Sequence, residues 1–89
     1  MKRIHVFITG NVQGVFFRSY VKRKADELKI TGWIKNKDDG SVEAVFEGTE
    51  EALEDILDCC RTGPRGAHVE DVSVTEELAT GAFMEFVVK

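Results

Sequence analysis

Between residues 10 and 18 the hydrophobic repeat of the chain changes from about two residues to about 3.6. Lys2 to Thr9 alternates polar and apolar side chains, with Ile4, Val6 and Ile8 on one face, as a half-buried strand over about 3–9 requires. Phe17, Val21, Ala25 and Leu28 then recur at helical spacing, which predicts a helix over about 15–28. The stretch between, Gly10-Asn11-Val12-Gln13-Gly14-Val15-Phe16-Phe17-Arg18, is therefore a strand-to-helix turn. Such a turn can aim several backbone N–H groups and the positive end of a helix dipole at one point. Gly10 and Gly14 can take positive φ and leave no side chain in the way of an anion. Arg18 adds a permanent charge and a planar donor fork. Spacing alone leaves two readings open, a phosphate cradle and a tight turn beside a surface arginine. The stretch lacks both the Lys-Ser/Thr ending of the P-loop and the Gly-x-Gly-x-x-Gly spacing of dinucleotide folds.

The rest of the chain supplies elements for a two-layer fold. A second strand is expected over about 33–37 and a third over 41–47, joined at Asp38-Asp39-Gly40, where Asp-Gly tolerates positive φ. The third strand alternates with Val42, Ala44 and Phe46 inward. Thr49 can cap a second helix whose first turn carries Glu50 and Glu51 and whose apolar stripe is Leu53, Ile56, Leu57 and Cys60. Gly63 and Pro64 end that helix. A fourth strand over about 69–76 would point Val72 and Val74 inward, and a short one over 82–88 has an inward phase that the pattern leaves unsettled. The order is β-α-β-β-α-β with an extra strand, which is the α+β, ferredoxin-like arrangement. Right-handed crossovers then put both helices, one basic and one acidic, on one face of an antiparallel sheet. His5 falls on the other face as a half-exposed sheet residue.

At 89 residues, the chain is read as a single domain over 1–89. Its 43% hydrophobic and 31% charged residues suit a globular protein, no apolar run nears the ~18 residues of a membrane span, and no secretory signal opens the sequence. The net charge of −4 disfavours general binding to nucleic acid or an anionic membrane. Cys59 and Cys60 are adjacent, about 3.8 Å apart at Cα, too close for an unstrained bridge. A reduced, cytoplasmic protein is expected. His5 and His68 have no ligand-like spacing relative to these cysteines, so no metal site is expected.

Val12-Gln13-Gly14-Val15-Phe16-Phe17-Arg18 resembles the signature loop of the acylphosphatase family almost position for position. A second match follows at Gly32-Trp33-Ile34-Lys35-Asn36, then at Asp39-Gly40-Ser41-Val42 and Gly48, and the likeness runs from about Arg3 to the last strand. The resemblance implies the ferredoxin-like fold and the hydrolysis of acyl phosphates. It implies that the phosphate is bound by the loop N–H groups of Val12, Gln13, Gly14, Val15, Phe16 and Phe17 together with Arg18, and that Asn36 orients the attacking water. It also implies a monomer whose partners are a small acyl phosphate and inorganic phosphate. No serine or cysteine sits in the loop to form a phosphoenzyme, and no acidic pair lies near it to hold magnesium, so no cofactor is expected. Gln13 reads as a brace for the loop rather than a reacting group, and Phe16 and Trp33 as packing rather than as surfaces for stacking on the substrate. Two departures stand out: Lys29 where relatives usually carry glycine, and Lys37-Asp38 in place of a common Leu-Pro. Nothing in the residues selects the acyl end of the substrate.

Overall fold

The structure is a computed structural model that describes residues 1–89. The strand-to-helix turn joins β1 (Lys2–Asn11) to α1 (Phe17–Glu27), and β2 (Thr31–Asn36), β3 (Val42–Gly48), α2 (Glu50–Thr62), β4 (His68–Glu77) and β5 (Phe86–Val88) follow. The strands form one sheet in the order β4-β1-β3-β2-β5. β1 runs antiparallel to both β3 and β4, and β3 antiparallel to β2, which is the expected ferredoxin-like sheet. The extra strand adds to the outer edge of β2 in parallel, making the whole sheet mixed, and it is three residues long, shorter than the 82–88 expected. Its inward side chain is Phe86, whose ring stacks on Phe46 with centroids 5.4 Å apart and planes 7° from parallel.

Both helices lie on one face. Ile4, Val6 and Ile8 of β1 and Val42, Ala44 and Phe46 of β3 are buried there against Phe17, Val21 and Ala25 of α1 and Leu53, Ile56 and Cys60 of α2. Full burial of aliphatic and aromatic side chains is typically worth about 1.5–3 kcal/mol each, which makes this layer the main source of stability. Burial, helped by the neighbouring Cys59, pushes the Cys60 thiol up to about 12, as suits a packing residue. Leu57 is only partly buried, at the margin of the stripe. Val72 packs on this core; Val74, paired with Val6, keeps the expected inward phase but is 40% exposed, because β4 is an edge strand with one flank in water. Thr49 caps α2 as expected, its hydroxyl accepting from the Ala52 N–H at 3.1 Å. The opposite charges of the two helices do not meet. Lys22 pairs with Asp26, Lys24 with Glu27 and Arg61 with Asp58, all within their own helix.

At the end of α1 the chain reverses through a left-handed residue that is not glycine. Lys29 has φ 59°, with its N–H donating to Asp26 at 3.2 Å and that of Ile30 donating to Ala25 at 2.8 Å. These two bonds are the paired closure of a Schellman turn, in which glycine is the favoured left-handed residue.

The other face of the sheet is not a plain polar surface. β3 is buried on both sides, and Glu47 on the far face is 1% exposed. Its carboxylate accepts from Arg3 Nε at 2.7 Å and from the Thr80 and Gly81 N–H groups at 3.1 and 3.2 Å. The stretch linking β4 to β5 is thereby folded over the sheet, and the Arg3 guanidinium also lies 4.8 Å from the centre of the Phe83 ring. His5 is half-buried between two more carboxylates, Glu43 at 2.6 Å and Glu77 at 3.1 Å. Burial raises the Glu47 carboxyl, but the Thr80 N–H, Arg3 and the Gly81 N–H outweigh it, and the net shift is downward.

Two expectations follow. Replacing Lys29 with glycine should stabilise the fold by up to roughly 1 kcal/mol in chemical denaturation, since the left-handed backbone penalises a Cβ; a less stable variant would show that the lysine side chain does more than tolerate the turn. A carboxyl whose folded pKa is depressed contributes stability above its unfolded value, about 4.3, and loses it as pH falls through the folded value. Glu47→Gln should therefore cost about 2–4 kcal/mol near pH 7, and the gap to the parent should shrink near pH 3. An equal gap at both pH values would rule out the charge as its source.

Candidate active site

β1 ends at Asn11 and α1 starts at Phe17, so residues 12–16 must turn the chain within a few bonds. Val12 is buried and anchors this turn in the core. Gly14 has φ 73° and nothing within 4 Å of where a Cβ would stand, so the loop backbone there is open to an incoming group. Gly10 plays a different part from the one its position suggested. It belongs to β1, at a register shift in the pairing with β4, and a Cβ on it would lie 2.2 Å from the His68 carbonyl oxygen. Close backbone packing explains this glycine, and anion access does not.

Phe16 precedes α1 in a left-handed conformation, φ 62° and ψ 26°, and no side chain caps the helix. Its carbonyl is well used, accepting from Tyr20 N–H and Ser19 Oγ, each at 3.1 Å. The first N–H groups of a helix have no partners within it. In α2 the same need is met by Thr49 and two acidic residues, whereas the first turn of α1 has no acidic residue. It carries Arg18 instead. A cation at the positive end of a helix is unfavourable unless an anion joins it.

Arg18 is held by a hydrogen bond from Nη1 to the main-chain oxygen of Lys89, at 2.5 Å. Gln13 turns away from the loop interior: its side-chain amide donates to the carbonyls of Lys37 at 2.7 Å and Ser41 at 2.9 Å. It thus ties the loop to the β2–β3 hairpin, as a brace would. That hairpin is further fixed by Asp39, whose carboxylate accepts from the Ser41 hydroxyl at 2.6 Å and the Ser41 N–H at 2.9 Å. The same two bonds, hydroxyl first, hold the Asp39 carboxyl below its ordinary range. Asn36, the last residue of β2, pairs in register with Val42 and is exposed.

A cleft of about 370 Å³ results, lined by Val12, Gly14, Phe16, Phe17, Arg18, Ser19, Asn36 and Val88. The two sequence motifs therefore meet in one place. Of the loop residues singled out, Gln13 and Val15 do not line it; Val15 packs partly buried against the core. The packing expectation fails for Phe16, which is 84% exposed because the left-handed backbone carries its ring away from the core. Trp33 is half-buried on the far face, edge-on to His5 and with the Lys89 ammonium 4.7 Å from its ring centre. Ser19, Val88 and the Lys89 oxygen were not expected at the site. Ser19 could have been found from its place one residue beyond Arg18; Val88 and Lys89 have no local signal. No group of three or more His, Cys, Asp and Glu side chains is placed to hold a metal ion.

The acylphosphatase family model matches residues 4–88. The chain belongs to the acylphosphatase family. An acylphosphatase of Methylococcus capsulatus is 49% identical over 88 residues, covering 99% of this chain and 96% of its own length. Among solved structures, acylphosphatase from Bacillus subtilis superposes with a TM-score of 0.96 at 38% identity, over 100% of this chain and 99% of its own. An acylphosphatase from Coxiella burnetii gives 0.93 at 39% identity, over 99% and 92%. Within this family fold the Gln13 brace is a local contact whose worth can be measured. Gln13→Ala should destabilise the protein by about 1–3 kcal/mol in urea unfolding. A loss below about 0.3 kcal/mol would mean that the loop holds its shape without the hairpin.

Proposed function

We propose that this cleft hydrolyses the carboxyl–phosphate bond of acyl phosphates by direct attack of water, with the phosphate held by the loop N–H groups of residues 12–17 and by Arg18, and the water oriented by Asn36. An acyl phosphate is a mixed anhydride, and its carboxylate departs without a general acid. The protein has two tasks: to neutralise the phosphoryl oxygens and to place a water in line behind phosphorus. The observation that carries the reading is the uncapped first turn of α1 with Arg18 in it, opening on the same cleft as Asn36.

The water oxygen bonds to phosphorus as the phosphorus–acyl oxygen bond breaks, and that electron pair leaves on the carboxylate. Asn36 can accept from the water and direct its lone pair, but an amide is too weak a base to keep the proton. A phosphoryl oxygen of the substrate takes it. With no serine or cysteine among residues 12–18, no covalent intermediate is part of the scheme. It needs no cofactor and no metal. We read residues 1–89 as one catalytic domain acting as a monomer. Adjacent free thiols at Cys59 and Cys60 favour the reducing cytoplasm as its location. No helix is long and apolar enough to cross a membrane.

Hydrolysis of benzoyl phosphate, with inorganic phosphate as competitor, tests the assignment. Arg18 meets the phosphate in ground and transition states alike, so Arg18→Ala should damage both phosphate binding and turnover, and lysine should rescue it poorly. Asn36→Ala should lower kcat by about 10²–10⁴-fold while phosphate inhibition stays nearly intact. Near-normal turnover in the Asn36 variant would refute the water-orienting role.

A further inference from the structure

We propose that the Phe16 ring is the contact for the acyl end of the substrate, and that it selects apolar, ring-bearing acyl phosphates over small ones. This rests on the acyl-phosphate reading above. The turn into α1 requires a left-handed residue at position 16, where φ is 62°. Glycine or asparagine would meet that requirement with less strain than a bulky aromatic. Nothing inside the fold asks for the ring, since it is 84% exposed and absent from the core cluster. Exposure alone is ordinary for an apolar side chain, and Leu78 and Met84 are more exposed; what sets Phe16 apart is that its ring is also held by a strained backbone at the wall of a cleft.

The position of the ring indicates that partner. Phe16 lines the cleft together with Arg18 and Asn36, and Val88, 40% exposed, contributes a second apolar surface to the same cleft. Gly14, Arg18, Ser19 and Asn36 supply its polar lining. The cleft is thus amphiphilic in the same sense as an acyl phosphate, charged at phosphorus and apolar along the acyl group. Phe16 also borders a neighbouring hollow with Tyr20, Arg23 and Pro64, which leaves room for an acyl group larger than acetyl to extend past the ring.

The test is a ratio. The kcat/KM for benzoyl phosphate divided by that for acetyl phosphate is measured in the parent, in Phe16→Asn and in Phe16→Tyr, so that the intrinsic reactivities of the two anhydrides cancel between proteins. Asparagine keeps the left-handed backbone and removes the apolar surface; tyrosine keeps the ring. The ratio should fall about tenfold in Phe16→Asn, the order expected for loss of one apolar contact, and stay near the parent value in Phe16→Tyr. Equal losses on both substrates in Phe16→Asn, an unchanged ratio, or the same fall in Phe16→Tyr would overturn the assignment while leaving acyl-phosphate hydrolysis standing. A parent protein that cleaves neither substrate would overturn both.

Discussion

One backbone constraint shapes the site: the chain must leave β1 and enter α1 across residues 12–16. It does so with left-handed residues at Gly14 and Phe16, and the second of these takes the place where a capping side chain would otherwise stand. Three consequences follow from that path. The first N–H groups of α1 are left without a side-chain partner, the Phe16 ring is carried outward, and Arg18 falls in the first turn, against the helix dipole. Each would be a defect in a purely structural helix. Together they are the features on which the proposed phosphate cradle rests.

The far face of the sheet contributes at a distance. Glu47 and Arg3 hold the stretch around Thr80 and Gly81 across the sheet, and this stretch leads into β5. Phe86 then locks into the core on Phe46, which leaves Val88 at the cleft and the Lys89 oxygen on Arg18. An ion pair on one side of the sheet thus helps to set the wall of a cleft on the other. The geometry of the site is a property of the whole sheet, and not of the signature loop alone.

Much of this was readable from the residues because it depends on local periodicity. The alternation of Ile4, Val6 and Ile8, the helical spacing of Phe17, Val21 and Ala25, and the threonine cap of α2 all describe short-range patterns that the fold keeps. The meeting of Arg18 with Asn36 followed from two motifs and not from periodicity. What escaped was non-local or conformational. The Cβ contact that fixes Gly10 comes from His68, and the partners of Glu47 lie more than thirty residues away. The outward ring of Phe16 depends on the sign of φ at a residue that is not glycine, which composition does not signal. Val74 has the expected phase, but a period of two cannot say whether a strand will be central or at an edge.

The Gln13 amide spans from the loop to two carbonyls on either side of the β2–β3 turn, those of Lys37 and Ser41. It therefore bridges the two ends of that turn, which the Lys37 N–H already closes by donating to the Ser41 carbonyl at 2.8 Å. Asn36 stands directly before the bridged segment. Loops on a protein surface usually drift freely in length between relatives. This one is held at both ends by the Gln13 amide and at its tip by the Asp39 carboxylate on Ser41, so an exposed turn carries the constraints of a buried one.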